Sequence, residues 1–281
     1  VLEAARGQAR RACADAMLGE GNRDAATAIY ELMGDSDLAM PTRVAAYRGL
    51  VAAKPDGALE VVLGLLKEGA PALQLLGAKL AAKVDGENAT STLANQLRHL
   101  APDTQVVLIS SLAARGDHGA VIAVTRAARS EAPAVRVAAL RALGDLGNEE
   151  SAVLLVAAAS EGGAVGEAAA ESLARLAAPG TDGVLIGLTQ SGSAAGRVAA
   201  IEALEARDSH GAFKMLLASA LDEDESVRKA ASKALGALAR EGDLKALAGL
   251  FPKAGGTAER ENIESAVTAA ALRAADREAA G

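Results

Sequence analysis

The strongest constraint on this chain is a short pattern written again and again along it. From Pro133 to Asn148 the residues run PAVRVAALRALGDLGN: a helix start, an Arg after a Val, an Ala-Ala pair, an Ala-Leu and a Gly-containing stop. Anchored on Arg136, the equivalent positions are Arg10, Arg43, Gln74, Gln105, Gly166, Arg197, Arg228 and, most loosely matched, Arg260. Successive anchors lie 33, 31, 31, 31, 30, 31, 31 and 32 residues apart, so nine copies account for all 281 residues. A period of this length means small units, each burying its apolar face only against its neighbours.

Each copy holds two helical patterns. Around Arg136, Val135, Ala138, Ala139, Ala142, Leu143 and Leu146 fall on one face at 3.6 residues per turn, and Val227, Ala230, Ala231, Ala234, Leu235 and Leu238 repeat it. A breaker follows, such as Arg115-Gly116-Asp117, Gly147-Asn148 or Glu241-Gly242-Asp243, and then a shorter apolar run such as Ala152 to Ala159 or Ala212 to Leu221. Pro41, Pro71, Pro102 and Pro133 sit near the start of the longer helix, where the first turn has no use for the missing N–H. No alternating strand pattern lies between these helices, and the chain is expected to be all-α.

Composition agrees. Hydrophobic residues make up 51% of the chain and aromatics only 1%, so the core is built from Ala, Leu and Val, with small side chains that let helices approach closely. The net charge of −7 favours solubility and argues against a phosphate backbone as partner. Stacking platforms for bases are scarce, with no Trp, two Tyr and two Phe. The single Cys, Cys13, excludes an internal disulfide, and its helical setting predicts a buried, inert thiol. No window is apolar enough to span a membrane, and the opening residues do not read as a charged-then-apolar leader, although a start at Val1 is compatible with a processed or trimmed chain.

The VR-x-AA-x-x-AL-G pattern, with Ser130 or Asp222 six residues ahead of the Arg, resembles a HEAT repeat. The short period resembles the HEAT-like repeats of the phycobilisome-lyase type. Tetratricopeptide and ankyrin repeats are disfavoured, the first by its missing aromatic positions and the second by its missing TPLH-like turn. The resemblance implies an α-solenoid, an alpha-alpha superhelix of about nine helix pairs over residues 1–281. It also implies that the longer helix lines the inner, concave surface and that anchor Arg and upstream Asp form a ladder. Asp37 with Arg43 and Asp222 with Arg228 fit that ladder; Gln74, Gln105 and Gly166 interrupt it, and local capping of helix turns is the simpler role for these polar positions.

The chain opens inside a longer helix, near Leu2 to Leu18, without the shorter one that should come first. Further sequence is therefore expected before Val1. Glycines crowd residues 162–196, which reads either as close small-residue packing or as a flexible joint. The last helix, from Glu259, ends in Arg273, Asp276, Arg277 and Glu278, a polar cap for the final apolar face.

Signatures of chemistry are missing. His99, His118 and His210 stand at turns without His, Cys or Glu partners at helical spacing, which departs from the di-iron hydroxylase branch of HEAT-like proteins. There is no phosphate loop and no nucleophile elbow. The GTDGVLIG stretch from Gly180 to Gly187 is a loop entering a helix, and Asp222 to Glu225 is an acidic helix start. No cofactor and no metal are expected.

Four positions per longer helix, at +1, +4, +5 and +8 from the anchor, point away from the apolar face. They read Val44, Tyr47, Arg48, Val51; Leu75, Ala78, Lys79, Ala82; Val106, Ile109, Ser110, Ala113; and Val137, Leu140, Arg141, Gly144, with Val198 and Ile201 continuing the theme. Glu167, Lys229 and Glu261 take the +1 place elsewhere. Apolar residues bounded by charge suit a protein-binding groove; alternatively, +4 packs sideways on the next helix. The expected role is a non-enzymatic scaffold that holds a protein or peptide on its concave face. The alternatives are a helical docking module of a larger enzyme or complex, and a self-assembling repeat protein joined through its first helix.

Overall fold

A computed structural model describes residues 2–34, 38–254 and 256–280. Among these, seventeen α-helices and several short 3-10 turns form the structure and no strand occurs. The chain is an all-α solenoid, as the period predicts. It divides into two compact units, Val1–Ala142 and Leu143–Gly281.

The first unit holds α1 (Leu2–Gly19), α2 (Arg23–Gly34), α3 (Met40–Ala53), α4 (Ala58–Lys67), α5 (Pro71–Leu80), α6 (Ala89–Ala94), α7 (Pro102–Arg115), α8 (Val121–Ala127) and most of α9 (Pro133–Leu146). The second continues with α10 (Glu149–Ala159), α11 (Gly163–Arg175), α12 (Thr181–Leu188), α13 (Ala194–Ala206), α14 (Phe213–Ser219), α15 (Glu225–Leu238), α16 (Leu244–Ala248) and α17 (Thr257–Ala280). Odd-numbered helices each carry one anchor residue and are called anchor helices here; the even-numbered ones carry none and are given the label outer helices.

Local chemistry sets these boundaries. Pro71, Pro102 and Pro133 occupy the first residue of α5, α7 and α9. Asn148 and Ser151 form a capping box on α10, while Ser193 and Asp224 cap α13 and α15 through their side chains. Asp224 accepts from the backbone N–H groups of Ser226 and Val227, which makes it a helix start, and these bonds, with that from the Ser226 hydroxyl first among them, hold its pKa below the ordinary carboxylate value. Gly116 closes α7 at φ 67°, and Gly162 and Gly163 open α11 at φ 73° and 59°, a left-handed backbone that side chains disfavour.

Burial follows the predicted face. Val135, Ala139, Leu143 and Leu146 are 0% exposed, as are Val227, Ala231, Ala234 and Leu235. Each fully buried Leu or Val contributes about 1.5–3 kcal/mol. Cys13 departs from expectation: it is exposed, because the buried line of α1 runs through Gly7 and Ala14, and Cys13 lies about 100° around the helix from Ala14. Asp37, and with it the Asp37–Arg43 pair, lies outside the described residues, as do the side chains at 273–280.

Anchor helices touch where side chains are smallest. A Cβ added to Gly144 of α9 would stand 2.9 Å from the Ser172 Cα of α11, and one on Gly236 of α15 would stand 3.0 Å from the Ala266 Cα of α17. Both contacts join position +8 of one anchor helix to +6 of the next. In the first unit Gly49 leaves room for the Tyr30 ring, whose hydroxyl donates to Asp15 at 2.5 Å.

Two arginines bind consecutive repeats at equivalent positions. Arg115 Nη1 donates to the carbonyls of Ala81 (2.9 Å) and Val84, and its Nε to Thr90. Arg207 Nη1 donates to the carbonyls of Leu173 (2.9 Å) and Leu176 (2.6 Å), and its Nε to Asp182 at 2.6 Å. Each thereby supplies N–H groups to carbonyls where the preceding anchor helix ends. Burial alone would raise the Asp182 pKa, but hydrogen bonds from Ser209 and Arg207 outweigh it and hold the carboxyl below its usual value.

Gly144→Ala should lower the urea midpoint, since overpacking costs about 1–3 kcal/mol. Gly187→Ala, in open space on α12, should raise stability by up to about 1 kcal/mol through helix propensity, and with it the urea midpoint. Arg207→Met should cost on the order of 3 kcal/mol by orphaning buried carbonyls. Because the folded pKa of Asp182 is depressed, its contribution is present above the unfolded value, about 3.9, and is lost as pH falls through the folded value. Asp182→Asn should remove that part of the acid dependence, which pH-resolved thermal unfolding measures.

Candidate functional site: grooves between anchor helices

The polar anchor residues serve structure. Arg43 Nε donates to Gly34 O at 3.1 Å, Gln74 Nε2 to Glu68 O at 2.7 Å, Gln105 Nε2 to Leu100 O at 2.8 Å and Arg136 Nε to Ala128 O at 3.2 Å. Gln replaces Arg here because each supplies an N–H to a carbonyl at the end of the preceding segment. Arg228 Nη1 binds the main-chain oxygens of Asp222 and Glu223, both at 2.8 Å. The Asp222 carboxylate instead accepts from Arg197 of the previous repeat at 2.8 Å.

The predicted surface positions separate into three groups. Ile109, Leu140 and Ile201, all at +4, are 0% exposed. They pack as core, so these three candidates leave the accessible surface. Tyr47, also at +4, is half-buried and donates its hydroxyl to Gly34 O at 3.2 Å. The +1 residues Val44, Leu75, Val106, Val137 and Val198 are half-buried, and Arg48, Lys79 and Arg141 at +5 are exposed.

Two grooves use this surface, one in each unit, and they match position for position. In the first unit a groove of about 440 Å³ lies between α3 and α5. Arg48, Val51 and Ala52, at +5, +8 and +9, form one wall with Pro55; Leu76, Lys79, Leu80 and Lys83, at +2, +5, +6 and +9, form the other. In the second unit, Lys233, Gly236 and Ala237 of α15 face Asn262, Ser265, Ala266 and Ala269 of α17 at the same offsets. That groove extends to Val198, Glu202 and Glu205 of α13 and reaches about 640 Å³. Gly236 and Ala266 stand where Val51 and Leu80 stand in the smaller groove.

Charge distinguishes the two. Lys233 pairs with Glu205 at 3.2 Å, whereas Glu202 and Lys229 line the larger groove with no ion partner among the described residues. The smaller groove presents three cations and no carboxylate. Positions +6 and +9, and with them Lys83 and Ala269, were not among the predicted surface positions. A second helix supplies half of each groove, and its contributing offsets differ from those of the first.

His99 accepts from Arg98, and His210 contacts the Leu238 carbonyl at 3.1 Å and stacks on Phe213. Among the described residues no group of His, Cys, Asp and Glu is arranged to hold a metal. No helix among them is long and apolar enough to cross a membrane.

A repeating helix pair, with grooves at a fixed register between anchor helices, defines an α-helical repeat protein. The model for HEAT repeats matches residues 90–176 and 181–274, and the chain belongs to the HEAT-repeat family. Comparison with curated proteins finds no match. Similar solved structures include human deoxyhypusine hydroxylase in complex with glycerol, at 18% identity over 92% of this chain and 99% of that one, with a TM-score of 0.40. The complex of CpcE and CpcF of phycocyanin lyase from Nostoc sp. is 18% identical over 86% of this chain and 93% of that one, with a TM-score of 0.43. An engineered protein is 20% identical over 88% of this chain and 79% of that one, with a TM-score of 0.45.

The burial of +4 and the half-exposure of +1 make a direct contrast. Val106→Asp with Val137→Asp should leave the cooperative unfolding of the helices nearly unchanged by circular dichroism. Ile109→Asp alone should cost several kcal/mol, because it places a carboxylate in a dry core.

Proposed function

We propose that this protein is a non-enzymatic scaffold that holds a segment of a partner protein in the grooves between its anchor helices. The observation that carries this reading is the recurrence of one groove, at the same offsets, in both units. Contacts at +8 and +6 pack one anchor helix on the next, but packing gives no reason for the residues at +5 and +9 to line an open groove. The larger groove has the build of a peptide site: a floor of Val198, Ala230 and Ala266 under a rim of Glu202, Lys229, Asn262 and Ser265. Apolar floor supplies affinity, and rim groups left without ion partners supply register and orientation.

Selection of a random peptide library against the whole chain tests this. Enriched peptides should bind the native protein and lose about tenfold in affinity, about 1.4 kcal/mol, against a Glu202→Lys, Lys229→Glu, Ser265→Tyr variant. All three positions are exposed, so the variant should keep its helix content and melting temperature. No enrichment, or equal binding to the variant, would contradict the reading.

A further inference from the structure

We propose that the groove between α3 and α5 is the site of an acidic peptide segment, one that sets an aliphatic side chain between carboxylates; this rests on the scaffold reading above. Arg48, Lys79 and Lys83 surround a floor of Val51, Leu76 and Leu80, which are 6%, 4% and 7% exposed. None of the three cations has a carboxylate partner among the described residues, although other cations of this unit do: Arg11 pairs with Asp15, Arg43 with Glu68 and Lys54 with Glu31. This concentration of positive charge stands in a chain of net charge −7. The equivalent places in the second unit are held by Lys233, which is paired, and by Ser265 and Ala269. The fold therefore does not require cations at the positions of Lys79 and Lys83, nor an unpaired one at that of Arg48.

A helix-terminal role does not account for the cluster. Lys79 and Lys83 lie at the end of α5 and the turn after it, where cations favour the negative end of the dipole, but Arg48 lies more than a turn before the end of α3. Position matches an extended ligand. Adjacent anchor helices are about 8–10 Å apart, so Arg48 and Lys79, at the same offset, are spaced for carboxylates three residues apart on an extended segment of polyproline II geometry, which rises about 3.1 Å per residue and returns to the same face every three residues. Lys83 is one turn beyond Lys79, about 6 Å, and reaches a further carboxylate. The apolar floor between them receives the intervening side chain. Such binding is attractive at low salt and weakens as ionic strength rises.

The probe is a fluorescein-labelled Glu-Leu-Ala-Glu-Leu-Ala-Glu peptide, with a counterpart carrying Gln for every Glu, and anisotropy as readout on the full chain at low ionic strength. The acidic peptide should bind about tenfold tighter than its Gln counterpart, and Arg48→Glu with Lys79→Glu should erase that difference. Both residues are exposed, so melting temperature should not change; the milder Arg48→Ser, Lys79→Ser pair gives the same direction if it does. Equal binding of the two peptides, or an unaltered difference in the variant, overturns the assignment. So does a short oligothymidine that displaces the peptide at the same concentration as unlabelled acidic peptide, because the site would then read only charge. If library-selected peptides bind elsewhere while the acidic one does not, the assignment falls and the scaffold reading stands. If no peptide binds at all, both fall.

Discussion

The close approach of consecutive anchor helices governs the rest of this structure. Position +8 of one helix meets position +6 of the next, and where +8 is glycine no side chain intervenes: Gly144 lies against Ser172 and Gly236 against Ala266. A chain with almost no aromatic residues has few large side chains to fill gaps, so it makes its core by bringing Ala- and Leu-rich faces together. The same contact forms the floor of each groove. Gly236 and Ala266 leave the second unit's groove wide, while Val51 and Leu80 narrow the first unit's. Packing and groove size are thus set by one pair of positions.

Helix ends impose a second demand. Each leaves carbonyls without intrahelical partners, and this protein meets much of that demand with long side chains from the next repeat. Arg115 and Arg207 do so at equivalent places, each reaching carbonyls 31 and 34 residues away. The anchor Arg and Gln side chains do so locally. These are the residues that make the repeat recognisable, and they are engaged in holding it together. Residues available to a partner are the less regular ones at +5 and +9.

Much of the architecture was legible in the sequence. The period near 31 placed nine anchor helices, the Pro residues marked helix starts, and the Gly and Asp-rich breaks marked the turns, because each acts through local backbone chemistry. The surface was less legible. A helical wheel assigns Ile109, Leu140 and Ile201 to the outward side, yet the neighbouring helix buries them; hydropathy alone does not say whether an aliphatic residue meets water or a second helix. Cys13 failed for a similar reason, being about 100° away from the buried line of its own helix. Lys83 and Ala269 were missed because a groove between two helices takes different offsets from each, and a single-helix projection contains only one wall.

The grooves also show how a repeat protein varies without changing its fold. The offsets are shared, and the side chains at +5 and +9 of the second wall change from Lys79 and Lys83 to Ser265 and Ala269. Specificity placed there leaves the core residues Val135, Ala139 and Leu143, or their equivalents, undisturbed. The central claim is that partners are held on the anchor helices and not on the outer ones. Hydrogen-exchange footprinting of the full chain with a bound peptide partner tests it most directly: added protection should fall on α3 and α5 or on α13, α15 and α17, and protection confined to outer helices such as α8, α10 and α12 would contradict it.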